Sequence, residues 1–137
     1  MIISGEYMSR SLWRLTVRGE FASAHALRHY QGKCESLHGH NYSVEMVVEG
    51  ETLTPDTELV VDFTVLKKEL RAELGLIDHV NLNEYPPFDT VNPSSENLAR
   101  YIYRNMKVRL ADMPVRLYSL TVGETSMQSA TYMEIDD

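Results

Sequence analysis

Three histidines carry the most legible chemistry in this chain. They are His25 and the pair His38 and His40, which closes the stretch Cys34-Glu35-Ser36-Leu37-His38-Gly39-His40. On a strand, side chains at i and i+2 share a face, so His38 and His40 can close on one ion. A third imidazole from a neighbouring segment makes a three-histidine set with one coordination position free. That is the arrangement of a catalytic zinc rather than a structural one. Copper, nickel and iron also accept neutral imidazole nitrogen. The competing reading is two surface histidines and one held by hydrogen bonds. Three of only five histidines meeting at one end of a hairpin weighs against it. An open zinc would acidify a bound hydroxyl or polarise a carbonyl.

Cys34 is the chain's single cysteine. A lone cysteine is usually a small buried hydrophobe, but here Gln31, Gly32, Lys33 and Glu35 surround it. A nearby cation would lower its pKa and favour the thiolate, a base or nucleophile. Four protein ligands would leave zinc no open position, so Cys34 is placed outside the coordination sphere. Asp78-His79 reads either as turn chemistry or as an acid–base pair in which the carboxylate orients the imidazole. Glu124 ends a strand; it is either an exposed carboxylate or an anchor for a guanidine-like ring edge, because a carboxylate accepts two parallel N–H bonds. Ser94-Ser95-Glu96 opens a helix whose N-terminus can also present donors to a ligand. Arg28 and His29 are solvated loop residues or contacts for phosphate.

The elements that must position these residues alternate between two periods. Leu12 to Phe21 places Trp13, Leu15 and Val17 on one side and Arg14, Thr16 and Arg18 on the other, a half-buried strand. His40 to Gly50 alternates again through Tyr42, Val44, Met46 and Val48. The two strands would pair antiparallel across a long loop, residues 22–37, a length that is uncommon without a function. Asp62 is a helix N-cap. Leu66, Leu70 and Leu74 make the stripe of a helix over 63–74, ended by Gly75. Residues 76–90 are irregular. A second helix opens near Ser94 or Ser95, with Leu98, Ile102 and Met106 as its stripe. Strands follow at 115–122 and 130–135. The order ββααββ predicts an α+β domain: an antiparallel four-stranded sheet with two helices on one face.

Length and composition set the bounds. At 137 residues the chain reads as one domain over 1–137, long enough for a sizeable core. A net charge of −7 without any basic run argues against a nucleic-acid surface. No apolar run approaches the ~20 residues that span a membrane. The first ten residues do not read as a signal peptide. One cysteine excludes an intrachain disulfide and fits a reducing cytoplasm.

Taken together, His25, Cys34 with His38-Gly39-His40, Asp78-His79 with Asn81-Leu82-Asn83, Ser95-Glu96-Asn97 and Gly123-Glu124-Thr125 resemble the 6-pyruvoyl-tetrahydropterin synthase family, in particular its bacterial 6-carboxy-5,6,7,8-tetrahydropterin synthase branch in the queuosine pathway. The likeness runs from about Trp13 to Tyr132 and leaves residues 1–11 as an N-terminal extension. It implies the tunnelling fold, in which subunits assemble into a barrel, commonly a homohexamer of two stacked trimers with active sites between subunits. It also implies one zinc per subunit on His25, His38 and His40. Cys34 would be the general base, and Asp78 and His79 would arrive from a neighbouring subunit. Glu124 would anchor the 2-amino-4-oxo edge of a pterin, helped by Ser94, Ser95 and Glu96.

The implied reaction converts 7,8-dihydroneopterin triphosphate to 6-carboxytetrahydropterin, acetaldehyde and triphosphate, which makes the enzyme a lyase. The chain departs from the family pattern in following cysteine directly with Glu35. One branch has glutamate at that position and releases 6-hydroxymethyl-dihydropterin for folate synthesis, so either reaction, or both, is open. The pyruvoyl-forming activity and a non-catalytic pterin binder are further alternatives. A pure binder would need Glu124 but neither the metal nor the thiol.

Overall fold

The structure, a computed structural model, describes residues 9–32 and 36–136. Strand β1 (Trp13–His25) pairs antiparallel with β2 (His38–Gly50). Helix α1 (Phe63–Gly75) and helix α2 (Ser95–Arg109) follow, then β3 (Arg116–Thr125) and β4 (Gln128–Tyr132). The four strands lie in the order β1-β2-β3-β4, all antiparallel. This is the expected α+β architecture.

Period-two alternation builds one face of the sheet. Val17 and Phe21 of β1, Tyr42, Val44, Met46 and Val48 of β2, and Leu120 and Val122 of β3 all point into the core. The helical stripes Leu66, Leu70 and Leu74, and Leu98, Ile102 and Met106, close over that same face. Each such aliphatic side chain contributes about 1.5–3 kcal/mol by leaving water. Asp62 caps α1 by accepting from the Thr64 N–H at 2.8 Å. Ser94 caps α2 by accepting from the Asn97 N–H at 3.1 Å.

Several boundaries differ from expectation, and β2 starts at His38 rather than His40. β1 continues through Ala22-Ser23-Ala24 to His25, so the connection to β2 spans 26–37 rather than 22–37. Small residues hide the alternation there, yet Phe21, Ser23 and His25 remain in the buried register. Gly75 is the last residue of α1, and Leu76 takes the cap with an ordinary right-handed backbone. β4 occupies Gln128–Tyr132 rather than 130–135, because β3 extends to Thr125 and a tight turn returns the chain at once.

The outer edge of β1 is partly covered by residues 77–81. Asp78 Oδ1 accepts from the Ala22 N–H at 2.8 Å, and the His79 N–H donates to Ala22 O at 2.5 Å. The Ala24 N–H donates to Val80 O at 3.0 Å, and Ser23 Oγ donates to Ile77 O. A single parallel bridge joins Ala24 and Asn81. The expected irregular segment is therefore tied, residue by residue, to the strand that carries His25.

Candidate active site

The file of β2 side chains that builds the core also supplies two of the three histidines. Val48, Met46, Val44 and Tyr42 face the helices, and His40 and His38 continue that file at the end of the strand. Across the pair, Phe21 lies opposite Tyr42, Ser23 opposite His40 and His25 opposite His38. The three imidazoles thus meet where the apolar core gives way to a polar end. One ring nitrogen from each of His25, His38 and His40 lies within 4.8 Å of the others. Tyr42 floors the cluster: it stacks on Phe21 at 4.7 Å and meets the rings of His25 and His40 edge-on.

The hydrogen bonds of these rings define what they can hold. His25 Nδ1 lies 2.7 Å from Pro93 O, and His38 Nδ1 lies 2.6 Å from Ser36 O. A carbonyl oxygen only accepts, so each Nδ1 carries the proton and each Nε2 keeps its lone pair. The two Nε2 atoms nevertheless face each other at 3.1 Å. Two lone pairs at that separation repel unless a cation lies between them. Two nitrogens at zinc-bond length on a tetrahedral ion would stand about 3.3 Å apart. His40 Nε2 is buried without a hydrogen bond among the described residues. His25 is fully buried, and burial holds its imidazole below the ordinary pKa against the opposing pull of the Pro93 carbonyl. It is therefore neutral, as a metal ligand must be. The donor set fits a divalent metal of the imidazole-preferring kind, with the carbonyls of Pro93 and Ser36 orienting two of the rings.

Glu124 borders this cluster. Its Oε2 lies 3.6 Å from His40 Nε2, and its Oε1 accepts from Ser95 Oγ at 2.9 Å. The register between β3 and β4 slips between Gly123 and Thr125, so Glu124 sits in a bulge without an opposite residue. Bulges re-aim side chains, and this one turns a strand-end carboxylate toward the start of α2. Ser94 caps that helix while Ser95 holds Glu124. Glu96 is exposed in its first turn, where acid complements the helix dipole.

Asp78 and His79 lie elsewhere. Asp78 Oδ2 is 2.9 Å from His79 Nδ1. The Ala22 N–H bond, opposed by some desolvation and reinforced by His79, holds the Asp78 carboxyl below its usual range. His79 is 80% exposed at its side chain and carries a left-handed backbone with φ of 57°. It borders a shallow depression with Ala22, Ser23, Ala24, Gly39, His40 and Asn41, along the edge of β1 that residues 77–81 cover. Among the described residues, neither Asp78 nor His79 joins the ligand set of His25, His38 and His40. Cys34 and Glu35 lie outside the described residues.

Arg28 does not present its guanidinium to a ligand. It donates to Phe88 O at 2.6 Å, Val91 O at 3.2 Å and Asn83 O at 3.4 Å. Two asparagines act with it. Asn83 accepts from the Ala26 N–H at 2.7 Å and donates to Ala26 O at 2.9 Å; Asn92 does the same for Arg28 at 2.8 and 3.0 Å. Each amide thus imitates a strand neighbour for the chain leaving His25, and Asn92 precedes the Pro93 carbonyl that orients His25. These contacts bridge 57 to 64 positions. The Asn81-Leu82-Asn83 and Asn92 segments were their only trace in the sequence.

Comparison with known proteins agrees with this geometry. The family model described as 6-pyruvoyl tetrahydropterin synthase matches residues 14–135. A 6-carboxy-5,6,7,8-tetrahydropterin synthase from Synechocystis is 34% identical over 125 residues, covering 88% of this chain and 93% of its own. A dihydroneopterin monophosphate aldolase from Pyrococcus furiosus is 36% identical over 111 residues, covering 80% of this chain and 90% of its own. The solved 6-pyruvoyl tetrahydropterin synthase of Caenorhabditis elegans superposes with a TM-score of 0.80 at 30% identity, over 94% of this chain and 100% of that one. The chain belongs to the 6-pyruvoyl tetrahydropterin synthase family, and its fold is the tunnelling fold of that family.

Proposed function

We propose that this protein is a zinc-dependent 6-carboxy-5,6,7,8-tetrahydropterin synthase. It would convert 7,8-dihydroneopterin triphosphate and one water to 6-carboxytetrahydropterin, acetaldehyde and triphosphate for queuosine biosynthesis. One observation carries the reading. Two Nε2 lone pairs of tautomerically fixed histidines face each other at 3.1 Å, beside a carboxylate held by Ser95.

His25, His38 and His40 would hold the zinc, one per subunit, which when bound supplies Lewis acidity toward the hydroxyls of the substrate side chain. Glu124 accepts two parallel N–H bonds from the 2-amino-4-oxo edge of the pterin, and the Ser95 hydroxyl fixes its plane. Ser94 and Glu96, beside Ser95 at the start of α2, complete that end of the pocket. Asp78 accepts from His79 Nδ1 and leaves the other ring nitrogen free to take and return a proton. Cys34 acts as the base on the side chain, and a retro-aldol cleavage follows loss of triphosphate.

Assembly is part of the reading. Asp78 and His79 stand outside the ligand set of their own histidines and would serve a neighbouring subunit. Among the described residues, the Trp13–Phe21 stretch of β1 and the outer edge of β4 have no strand partner. A barrel removes such edges, which supports a homohexamer of two stacked trimers, each chain contributing one domain. No described helix is long and apolar enough to cross a membrane, and we assign the enzyme to the cytoplasm.

The second reading is a folate-branch cleavage to 6-hydroxymethyl-dihydropterin through Glu35, alone or beside the first. Two observations favour keeping it: the Cys34-Glu35 neighbours and the likeness to the Pyrococcus aldolase. Mass spectrometry of the pterin formed from 7,8-dihydroneopterin triphosphate decides between them. We expect 6-carboxytetrahydropterin, lost in Cys34→Ala and retained in Glu35→Ala. Formation of 6-hydroxymethyl-dihydropterin alone would overturn the first reading in favour of the second.

A further inference from the structure

An acidic protein that takes a triphosphate must keep some cations uncommitted. The chain has 13 Lys and Arg against 20 Asp and Glu. Most of the described cations are already engaged. Arg10 pairs with Glu51, Arg14 and Arg116 with Glu49, and Arg18 with Glu45. Arg104 and Lys107 pair with Glu134, and Arg109 with Glu69 and Glu73. Arg28 is spent on carbonyls and Arg100 on Asn97. Among the described residues, Lys67, Lys68 and Arg71 alone have no hydrogen bond or ion pair, and all three are exposed on α1.

Two of these line one cleft. Lys67 and Arg71 stand one turn apart, an arrangement of like charges that opposes the helix until an anion relieves it. With Arg18 and Glu20 of β1, and Asp78 at one end, they border a cleft of about 300 Å³. Gly19 lines it: a Cβ there would lie 2.9 Å from Leu74 Cδ1, so a larger residue would push that side chain aside. The cleft is remote from the histidines of its own chain, since Gly19 to His25 along the strand is about 20 Å. Asp78, which pairs with His79, lines it.

We propose that Lys67 and Arg71 form a phosphate subsite. It receives the triphosphate tail of a substrate seated in the site to which Asp78 and His79 of the same chain contribute. This inference rests on the function proposed above. Asp78 turns its two carboxylate oxygens to the Ala22 N–H and to His79 Nδ1. Glu20 has no such partner among the described residues and opposes the anion, which gives the subsite an opposite-signed test.

The experiment compares zinc-loaded wild type, Lys67→Ala/Arg71→Ala and Glu20→Gln. It measures calorimetric binding of inorganic triphosphate, fluorescence binding of phosphate-free neopterin, and turnover of 7,8-dihydroneopterin triphosphate. We expect the double variant to bind inorganic triphosphate more weakly, and to raise KM, by about tenfold for each cation removed. kcat and neopterin binding should hold, and the salt dependence of triphosphate binding should flatten. Glu20→Gln should tighten triphosphate binding. Unchanged triphosphate affinity and KM in the double variant would overturn the subsite, as would an equal loss of neopterin binding. If wild type forms no pterin product, the functional reading fails instead, and the inorganic triphosphate titration still decides the subsite.

Discussion

His25 and His38 are register partners across β1 and β2, and their Nε2 atoms approach to 3.1 Å while each Nδ1 is tied to a backbone carbonyl. The antiparallel pair thus brings together residues thirteen positions apart, and the carbonyls of Pro93 and Ser36 select the tautomers. Replacing His25 or His38 by Ala should reduce zinc affinity by more than the roughly 10–100-fold that loss of an orienting contact costs. Chelator competition on the purified oligomer measures this. Wild type should carry about one zinc per subunit and gain about 2.7 kcal/mol of stability when free zinc is a hundred times the Kd. An apo-protein that melts at the same temperature with and without zinc would contradict the assignment.

Glu124 joins the two halves of the site, with one oxygen on Ser95 and the other 3.6 Å from His40. Glu124→Gln replaces an acceptor by a donor against the pterin edge and should weaken pterin binding by about tenfold or more. Ser95→Ala leaves the charge but frees its plane, so a smaller loss is expected. Fluorescence titration with neopterin reads both. Zinc content should be unchanged in each, since neither residue is among the three histidines. Loss of zinc in Glu124→Gln would instead place this carboxylate on the metal.

How far the sequence shows all this depends on how local each signal is. The β2 file from Val48 to His38 is visible because period two persists from core to site, and the caps at Asp62 and Ser94 are visible because their bonds are two and three residues long. The last turn of β1 is hidden because Ala22, Ser23 and Ala24 carry no hydrophobic contrast. The bulge at Glu124 exists only in the pairing of β3 with β4. Arg28 looks like a phosphate contact until the carbonyls of a segment some sixty residues away claim it. Long-range bonds from side chain to backbone leave no period to read.

Glu49 gives a pH test of the sheet. It is 6% exposed and accepts from Arg116 at 2.8 Å and Arg14 at 2.9 Å. The Arg116 bond, opposed by burial and aided by Arg14, holds its carboxyl below the usual glutamate range. The unfolded chain binds this proton more readily than the folded one. Its contribution is therefore present above the unfolded pKa, near 4.3, and is lost as pH falls through the lower folded value. Glu49→Gln should cost about 1–2 kcal/mol at pH 7 and progressively less on acidification below the unfolded pKa. Urea unfolding at pH 7 and pH 3 measures the difference; a cost that does not shrink with pH would mean packing, not charge, sets it.

His79 is held against the edge of β1, outside the ligand set of its own chain's histidines. Its φ of 57° is uncommon for a residue with a side chain and is enforced by the bonds from residues 77–80 to β1. Such strain persists where the surroundings over-determine it. His79→Ala should lower kcat by about 10²–10⁴-fold, the range for loss of a proton-transfer group, with zinc content intact. The decisive measurement mixes two inactive proteins. Oligomers reassembled from His25→Ala and His79→Ala chains should regain activity, because a site with three intact histidines then meets an intact His79 from the next subunit. Complementation cannot occur if each chain builds its site alone, so absence of any recovered turnover in verified mixed oligomers would show that His79 acts within its own subunit or not at all.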